Sequence, residues 1–427
     1  MDARKGSRII DAVEDRRDEV VAFLQKLIRV NSITGNEAEI QQLIAKTFRG
    51  MGLAVDEFEP DLESLRGYPG FLEPELPLTG RSNVIGIWRG TGGGRSLLLN
   101  GHVDTVPFDP IDQWIDGPLS GAMRQGNIWG RGASDMKAGL AAMIMAVSIL
   151  KQIGFSPRGD IILQTVVDEE RTGVGTLACV HRGYKADAGI CCETSDLQVM
   201  PACIGRMWFT IKVRGKPAGI SARWESVSAI EKAIKIVHAV DDLEKMRIED
   251  LKHPLYPDNR GALPCAVTMF HSGTFPSITP EDAVLRGSLG LMPYEDPERV
   301  EEELKDQVKQ VAMSDPWLRN NVPEVTTEGG LVAPGAEIPT DHPIVKTVSQ
   351  AFEQLTGEAP VLSARKGAAD TRFLIRQGDT PTVIFGPGVT AQMHAMNEYV
   401  PVENLITATG VIALSIHSWC NEAEARQ

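Results

Sequence analysis

Short apolar runs that alternate with helical stretches are the feature that most narrows the folds open to this 427-residue chain. Each run has the length of a strand, and a long apolar helix is predicted over residues 134–150. The strands predicted in the first half span residues 83–88, 96–100, 160–167 and 189–192. Because strands and helices alternate, we expect a mostly parallel sheet that helices cover on both faces.

Two helices are predicted ahead of these strands. Residues 14–50 carry apolar side chains at helical spacing, interrupted by the turn-rich stretch NSITGNE. A segment rich in proline and glycine follows over residues 59–80, and the strands begin after it.

The pattern changes near Gly205, which predicts a second domain. The order there is βαββαβ, the ferredoxin-like arrangement. Its predicted elements are a strand over 207–215, a helix over 226–247, strands over 265–271 and 283–292, a helix over 296–313 and a strand over 322–328. Helix and strand alternation then resumes over 342–355, 370–376, 381–385 and 402–419. We predict an α/β domain formed by residues 1–205 and 325–427, with a smaller α+β domain inserted at residues 206–324.

Charge and composition exclude several classes of function. The formal net charge of −14 argues against a nucleic-acid partner, because phosphate binding needs a basic surface. The longest apolar stretches, such as residues 139–150, are shorter than the roughly 20 residues that span a bilayer, so no membrane role is expected. The six cysteines show no paired spacing and the first residues form no apolar signal segment, which indicates reduced cysteines in a cytoplasmic protein.

A histidine and an aspartate stand two residues apart at the end of a predicted strand. In LLLNGHVDTVP, strand alternation places His102 and Asp104 on the same face. An imidazole can bind a divalent metal, and a neighbouring acid can fix the ring's tautomer through its second nitrogen. A hydrogen-bonded surface histidine beside a turn would give the same motif, so this pattern alone leaves both interpretations open.

Acidic residues stand at the ends of three other predicted elements, one at the start of a helix and the others after two strands. Asp135 lies in WGRGASDMKAG where the apolar helix begins, and its alternative role is that of a helix cap. Two predicted strands are followed by Glu169 and Glu170 in VVDEERTG and by Glu193 in ICCETSD. Acids of this kind are usually solvated, but ligand sites also form at the carboxyl ends of strands in open parallel sheets.

A second motif histidine lies near the end of the chain. His394 stands in the glycine-rich loop IFGPGVTAQMHAMNEYVP, whereas the other histidines lack acidic motifs and are predicted to be structural or surface residues. Two histidines with several carboxylates suit zinc, or manganese or cobalt when oxygen ligands dominate. Five ligands with one bridging carboxylate would hold two metals roughly 3.5 to 4 Å apart and lower the pKa of a shared water towards neutrality.

The order of these motifs resembles one superfamily over nearly the whole chain: GHVDTVP, GRGASDMKAG, DEE, a glutamate at a strand end and a GPG loop with a histidine. The superfamily comprises metal-dependent aminoacylases, acetylornithine deacetylases, succinyl-diaminopimelate desuccinylases and glutamate carboxypeptidases. The resemblance implies a zinc-exopeptidase-like three-layer α/β catalytic domain with an inserted ferredoxin-like domain that acts as a lid and dimer interface. It also implies one or two divalent metals per subunit (manganese, zinc or cobalt) and a homodimer or higher homo-oligomer.

The resemblance further implies a role for each motif residue. Glu169 would be the general base that takes a proton from the attacking water and delivers it to the leaving nitrogen. Asp104 would support the imidazole two residues before it. The carboxylate of Asp135 would bridge two metals, whose ligands would be His102, Asp135 and Glu193 on one metal and Asp135, Glu170 and His394 on the other.

The inserted domain departs from the family pattern at three positions. VRGKPAGIS has Gly219 where the family has a histidine that stabilises the oxyanion. SGTFPSITPEDAVLRG has Ser277 where asparagine is favoured, and GSLGLMP has Gly290 where a substrate-binding arginine is common. Five cations near the motifs are candidates for substrate contacts, with surface charges as the alternative: Arg206, Arg223, Arg365, Lys366 and Arg372.

These departures leave two reactions of a small carboxylate-bearing substrate open. Loss of an oxyanion donor would cost amide cleavage roughly 10²- to 10³-fold in rate unless another group replaces it. Attack on an aromatic carbon needs no such donor, and the chain then resembles the 5-nitroanthranilate aminohydrolase branch, which releases ammonia. We expect deamination of an aminoaromatic acid of this kind. The alternatives are an N-acyl amino acid amidohydrolase and, less favoured, a metallo-exopeptidase. A non-enzymatic protein of this fold is not expected, because it would have lost candidate metal ligands or the base, and this chain retains all of them.

Overall fold

A computed structural model describes residues 3–327 and 329–421 and divides them into two compact units. The first unit comprises residues 3–202, 338–363 and 369–421, and the second comprises residues 203–327, 329–337 and 364–368. The strands are β1 (Ala54–Phe58), β2 (Asn83–Trp88), β3 (Leu97–His102), β4 (Ala122–Arg124), β5 (Asn127–Trp129), β6 (Ile161–Val166), β7 (Ala188–Cys191), β8 (Ala202–Cys203), β9 (Gly205–Arg214), β10 (Cys265–Ser272), β11 (Asp282–Leu291), β12 (Glu324–Thr326), β13 (Val332–Ala333), β14 (Ala336–Glu337), β15 (Thr382–Ile384) and β16 (Tyr399–Pro401). The helices are α1 (Ala3–Glu14), α2 (Arg17–Ile28), α3 (Ala38–Gly50), α4 (Leu62–Leu65), α5 (Lys137–Gln152), α6 (Val174–His181), α7 (Ala229–Asp250), α8 (Pro297–Ser314), α9 (Pro343–Thr356), α10 (Thr371–Arg376) and α11 (Val402–Asn421).

The first unit is built on a six-stranded sheet in the order β1-β2-β6-β3-β7-β15. Strands β6, β3, β7 and β15 are parallel to their neighbours in this set, whereas β1 and β2 add antiparallel pairs at one edge. Leu97 and Leu99 of β3 pack into the larger core with α5 and α11. Leu98 between them packs into a second core on the opposite face, with Cys179 of α6 and Leu374 of α10. Helices therefore cover both faces, which confirms the three-layer α/β prediction.

The second unit contains the predicted βαββαβ order. Its sheet runs β10-β11-β9-β12, and β13 also pairs with β9. One core joins apolar residues of this sheet to residues of α7 and α8, among them Phe209, Ile236 and Leu304. The strand predicted over 322–328 is shorter, at Glu324–Thr326, and Glu328 lies outside the described residues.

The observed domain bounds differ from the predicted ones. Residues 203–205, 325–327, 329–337 and 364–368 belong to the second unit rather than to the first. The reason lies in strand pairing, because both β12 and β13 are hydrogen-bonded to β9. Arg365 likewise forms a parallel bridge with Cys203 at the start of this unit.

Three further features were not predicted from the sequence. Among the described residues, three helices rather than two precede the first strand. The additional helix, α1, lies ahead of the region predicted to be helical and is separated from α2 by only two residues. Strand β1 lies at the sheet edge, where all five of its residues are exposed or half-buried, and it carries little apolar signal. Strands β4, β5 and β16 form a small separate sheet.

Candidate metal centre

The predicted ligands converge at the carboxyl edge of the parallel strands in the first unit. His102 is the last residue of β3, Glu170 follows β6, and Glu193 follows β7. His394 lies in the loop after β15, with a left-handed backbone (φ 59°). Asp135 lies in the turn before α5. The N-cap of that helix is Met136, without a side-chain hydrogen bond, so the helix-cap alternative for Asp135 is wrong.

The five side chains form two groups that share Asp135. His102 Nε2 lies 3.3 Å from Asp135 Oδ1 and 3.2 Å from Glu193 Oε1. His394 Nε2 lies 3.4 Å from Asp135 Oδ2 and 3.0 Å from Glu170 Oε2. The two carboxylate oxygens of Asp135 therefore face different histidines, the arrangement that a bridging ligand requires.

The chemistry of this set fits divalent metal ions. Ligand atoms of His102, Asp135 and Glu170 all lie within 4.8 Å of one another, and so do those of His102, Glu169 and Glu193. Glu170 Oε1 is buried and has no hydrogen-bond partner among the described residues. Imidazole nitrogens with carboxylate oxygens are ligands for zinc, manganese and cobalt. Such ions would supply Lewis-acid polarisation of a substrate oxygen and a water of lowered pKa.

Crowded carboxylates shift the proton affinities of the centre. Burial raises the pKa of Glu169 well above its usual range, the nearby His102 opposes this, and neighbouring carboxylates add to it. Burial would lower the pKa of His102, but Glu169, Asp135 and Glu193 outweigh it and raise that pKa well above its usual value. Hydrogen bonds to Asp135 and Glu170 raise the pKa of His394 to about 10. Excess negative charge at this edge therefore favours cations.

Proton release on metal binding is the first prediction from this geometry. With a pKa of about 10, the His394 imidazole is protonated at pH 8 and must lose its proton before its nitrogen can bind a metal. Titration of metal-free protein with Zn²⁺ or Mn²⁺ at pH 8 should therefore release protons. Calorimetry in buffers of different ionisation enthalpy measures this, and a binding heat that does not vary with the buffer would contradict it.

Asp104 lies beside His102 as predicted, but its carboxylate has a different partner. His102 Nδ1 is 2.9 Å from the backbone oxygen of Asp104 and 3.7 Å from its Oδ1, so the backbone carbonyl fixes the ring. The carboxylate instead accepts hydrogen bonds from the backbone N–H groups of Glu169 and Glu170, at 3.1 and 3.2 Å. Asp104 therefore supports the loop that carries the predicted base.

One supporting residue was missed by the sequence analysis. Glu398 is fully buried and accepts hydrogen bonds from the backbone N–H groups of Gly132, Ser134 and Asp135, and from Arg131 Nη1. Burial raises its pKa to about 6. The only available signal was its place four residues after His394. Its contacts fix the turn that carries the shared ligand.

The five candidate substrate cations fall into both units. Arg372 belongs to the first unit, where it is buried and donates to the backbone oxygen of Thr172 at 3.1 Å. In the second unit, Arg223 is exposed and pairs with Glu231, and Lys366 is exposed. Arg365 and Arg206 are half-buried there, and burial lowers the pKa of Arg206.

Two of the unusual positions of the second unit are neighbours. Ile220 N donates to Ser277 O at 2.9 Å, and Gly219 forms an antiparallel bridge with Ile278. Gly219 has ordinary extended torsions (φ −62°, ψ 149°). A Cβ placed there would meet only Ser221 Oγ, at 4.0 Å, so the structure has room for a side chain.

Gly290 is different, because its side-chain space is filled. A Cβ there would lie 2.3 Å from the backbone oxygen of Ala262, so an arginine at this position would clash with the chain itself. Arg206 pairs directly with Gly290 across strands β9 and β11. Residues that pair in this way share a face of the sheet. Arg206 therefore carries a cation on the same face as Gly290, where an arginine at position 290 would otherwise stand.

This site has two histidines, a carboxylate that lies between them, further carboxylates and an adjacent glutamate. Such a set is typical of a metal-dependent hydrolase. Residues 98–418 match the peptidase family M20/M25/M40, and the chain belongs to this family. The chain is 29% identical over 430 residues to N-formyl-4-amino-5-aminomethyl-2-methylpyrimidine deformylase of Bacillus subtilis, with 96% of each chain covered. It is 27% identical to succinyl-diaminopimelate desuccinylase of Leptothrix cholodnii, covering 90% of this chain and 94% of the relative.

Solved structures show the same fold. A tripeptidase from Staphylococcus aureus superposes with a TM-score of 0.72 at 22% identity, covering 95% of this chain and 99% of the other. An M20 metallo-carboxypeptidase from Sulfolobus solfataricus gives a TM-score of 0.71 at 18% identity, covering 94% and 99%. The family match, together with the deformylase and the desuccinylase, confirms the predicted superfamily and a hydrolase of C–N bonds. In the described part of the chain, every helix is too short or too polar to cross a membrane.

Proposed function

We propose that this chain hydrolyses the amide bond of a small N-acylated amine, releasing the amine and a carboxylate. The observation that carries the proposal is the position of Glu169, whose Oε2 lies 3.7 Å from His102 Nε2, with Glu193 in the same cluster. A carboxylate at this place can serve as a general base without being one of the five ligands. The deformylase and the desuccinylase, as their names state, remove a formyl group and a succinyl group.

The proposed reaction needs one proton shuttle. Glu169 removes a proton from water as the water oxygen attacks the acyl carbon. The same carboxyl group then gives that proton to the amide nitrogen as the C–N bond breaks. Glu169 therefore has to begin the reaction as the carboxylate, and it holds the proton only between the two steps.

We further propose Arg206 as the contact for a substrate carboxylate. It is half-buried and stands opposite Gly290, where the position of the family arginine is closed by Ala262. An arginine can bind a carboxylate through two parallel hydrogen bonds. The proposal has three further parts. Zinc, manganese or cobalt occupies both metal positions. The chain forms a homodimer through the second unit, and it is located in the cytoplasm.

Deamination of an aminoaromatic acid such as 5-nitroanthranilate is the second candidate. The observation in its favour is the absence of a donor side chain at Gly219, next to Ser277. Aromatic attack would produce no carbonyl oxyanion and would spread charge through the ring. An exopeptidase reaction is third.

A substrate panel separates these candidates. Metal-free protein is reconstituted with Mn²⁺, Co²⁺ or Zn²⁺ and assayed with N-formyl aminomethylpyrimidines, N-succinyl and N-acetyl amino acids, dipeptides, and aminobenzoates with and without a nitro group. We expect freed amine from the acylated compounds. Ammonia from an aminobenzoate, with no cleavage of any acylated compound, would overturn the proposal in favour of the second candidate.

Restoring the lid histidine gives a matched test. A Cβ at Gly219 would meet only Ser221 Oγ, at 4.0 Å, and the backbone is extended, so we expect the Gly219→His variant to fold. If amide cleavage lacks an oxyanion donor, the histidine should raise kcat on the best acylated substrate by about tenfold or more, because such donors contribute roughly 10² to 10³. Gly219→Ala is the control. An unchanged kcat in Gly219→His would contradict a missing donor at this position.

A further inference from the structure

The loop that carries the predicted base is tightly bonded within itself. This base loop, residues 168–173, joins β6 to α6 and begins at Asp168, whose backbone is left-handed (φ 64°). The backbone oxygen of Asp168 accepts hydrogen bonds from Thr172 N at 3.0 Å and Gly173 N at 2.8 Å. Thr172 Oγ1 donates to Asp168 Oδ2 at 2.5 Å. Asp168 therefore sets the conformation from which Glu169 projects.

One external attachment of the base loop passes through Asp104. Its Oδ1 accepts from Glu169 N and its Oδ2 from Glu170 N. Thr34 Oγ1 donates to the same Oδ2 at 2.9 Å. The backbone of the base is thus linked to Thr34, a residue of the turn between α2 and α3.

A second external attachment passes through Arg81. Its Nη2 donates to Asp168 Oδ1 at 2.5 Å. The same guanidinium binds Glu37 with two hydrogen bonds, from Nε at 2.7 Å and from Nη2 at 2.5 Å. These three side chains are at most 3% exposed. One buried cation therefore serves two buried carboxylates, so neither carboxylate has a solvent alternative.

Both attachments start from one turn. Glu37 and Thr34 lie three residues apart, and Glu37 Oε2 also accepts from Gly35 N at 3.0 Å. The hydrogen bonds consequently close a ring from the turn through Asp104 to the backbone of Glu169, and back through Asp168 and Arg81. A shift of the base relative to the sheet would have to break bonds on one side of this ring.

We propose that residues 34–37 together with Arg81 form a positioning element that holds Glu169 at its working distance from the attacked carbon. The inference rests on the role of Glu169 as base in the proposed function. Displacement of a catalytic group by about 1 Å can lower the rate about 10²-fold. A rigid ring of hydrogen bonds that prevents such a displacement of Glu169 would therefore support the reaction rate. Arginine suits this place because its planar fork fixes the direction of several hydrogen bonds at once.

The test compares kcat, KM and metal content in two backgrounds. Arg81→Lys keeps the positive charge but loses the planar guanidinium and its several hydrogen bonds. Glu37→Gln keeps the shape of the side chain but loses its negative charge. Each substitution is made in the wild-type chain and in the Glu169→Gln variant. All of these proteins are reconstituted with Mn²⁺ and assayed with the best acylated substrate. We expect kcat to fall about 10- to 100-fold in the wild-type background, with KM and metal content nearly unchanged. In the Glu169→Gln background we expect no further fall, because the element acts through Glu169.

Asp315→Asn is the matched control. Asp315 is a buried carboxylate of the second unit that binds two lysines, Lys232 and Lys235, each at 2.8 Å. Its substitution should lower the midpoint of thermal unfolding without changing kcat. Circular dichroism and thermal unfolding verify that each variant folds, and if Arg81→Lys does not fold, Glu37→Gln decides the outcome.

Three results would be decisive against the inference. If Arg81→Lys and Glu37→Gln both fold and keep the wild-type kcat, while Glu169→Gln is inactive, the positioning role is overturned and the role of Glu169 as base is not. Equal losses of kcat in the two backgrounds mean that the ring only stabilises the fold. Full activity of Glu169→Gln itself would remove the proposed role of the base and, with it, this inference.

Discussion

Replacing Glu169 with glutamine is expected to lower kcat by about 10²- to 10⁴-fold, the usual contribution of a general base. Glutamine has the shape of glutamate but cannot take up the proton from water. Glu169 is outside the five proposed ligands, so the variant should retain its full metal content. Steady-state rates and metal analysis by mass spectrometry measure both quantities on the same sample.

The outcome also decides between two roles for this residue. Ligand atoms of Glu169, His102 and Glu193 lie close enough to hold one ion. A variant that loses a metal together with its activity would therefore make Glu169 a ligand rather than the base. Glu353→Gln, an exposed change on α9, is the control and should leave both quantities unchanged.

Replacing Asp135 with alanine should have the second large effect. Its two oxygens face His102 and His394, so the substitution removes a ligand from both metal positions. Supporting residues around a metal commonly contribute 10- to 100-fold, so loss of a shared ligand should cost more than about 100-fold in activity. The metal content should fall below two ions per chain.

Metal titration and mass spectrometry test this expectation, with Asp341→Ala, an exposed change, as the control. Two tightly bound metals in Asp135→Ala would show that the carboxylate does not bridge. Unchanged activity with one metal would show that only one position takes part in the reaction.

The clustering of most candidate ligands could be predicted because their motifs stand at the ends of apolar strands. Parallel strands bring their carboxyl ends to one edge, so residues as distant as His102 and Glu193 meet without any long-range signal in the sequence. The βαββαβ order of the second unit was predictable for a similar reason, since its alternating strands and amphipathic helices are long and regular.

Contacts that depend on backbone atoms or on distant pairs could not be predicted. The motif around His102 points to the Asp104 carboxylate, but the ring nitrogen meets the Asp104 carbonyl, which no side-chain pattern reveals. Arg81 joins Glu37 and Asp168 across long stretches of chain with no periodic signal. The closure of the space at Gly290 by Ala262 depends on the path of a loop.

Hydrolysis in H₂¹⁸O tests the central claim most directly. The metal-reconstituted protein is incubated with the best acylated substrate and with an aminobenzoate, and the products are analysed by mass spectrometry. Amide cleavage predicts one ¹⁸O atom in the released carboxylate, none in the amine, and no product from metal-free protein. Label in a phenolic hydroxyl with release of ammonia, or turnover that persists without metal, would contradict the account.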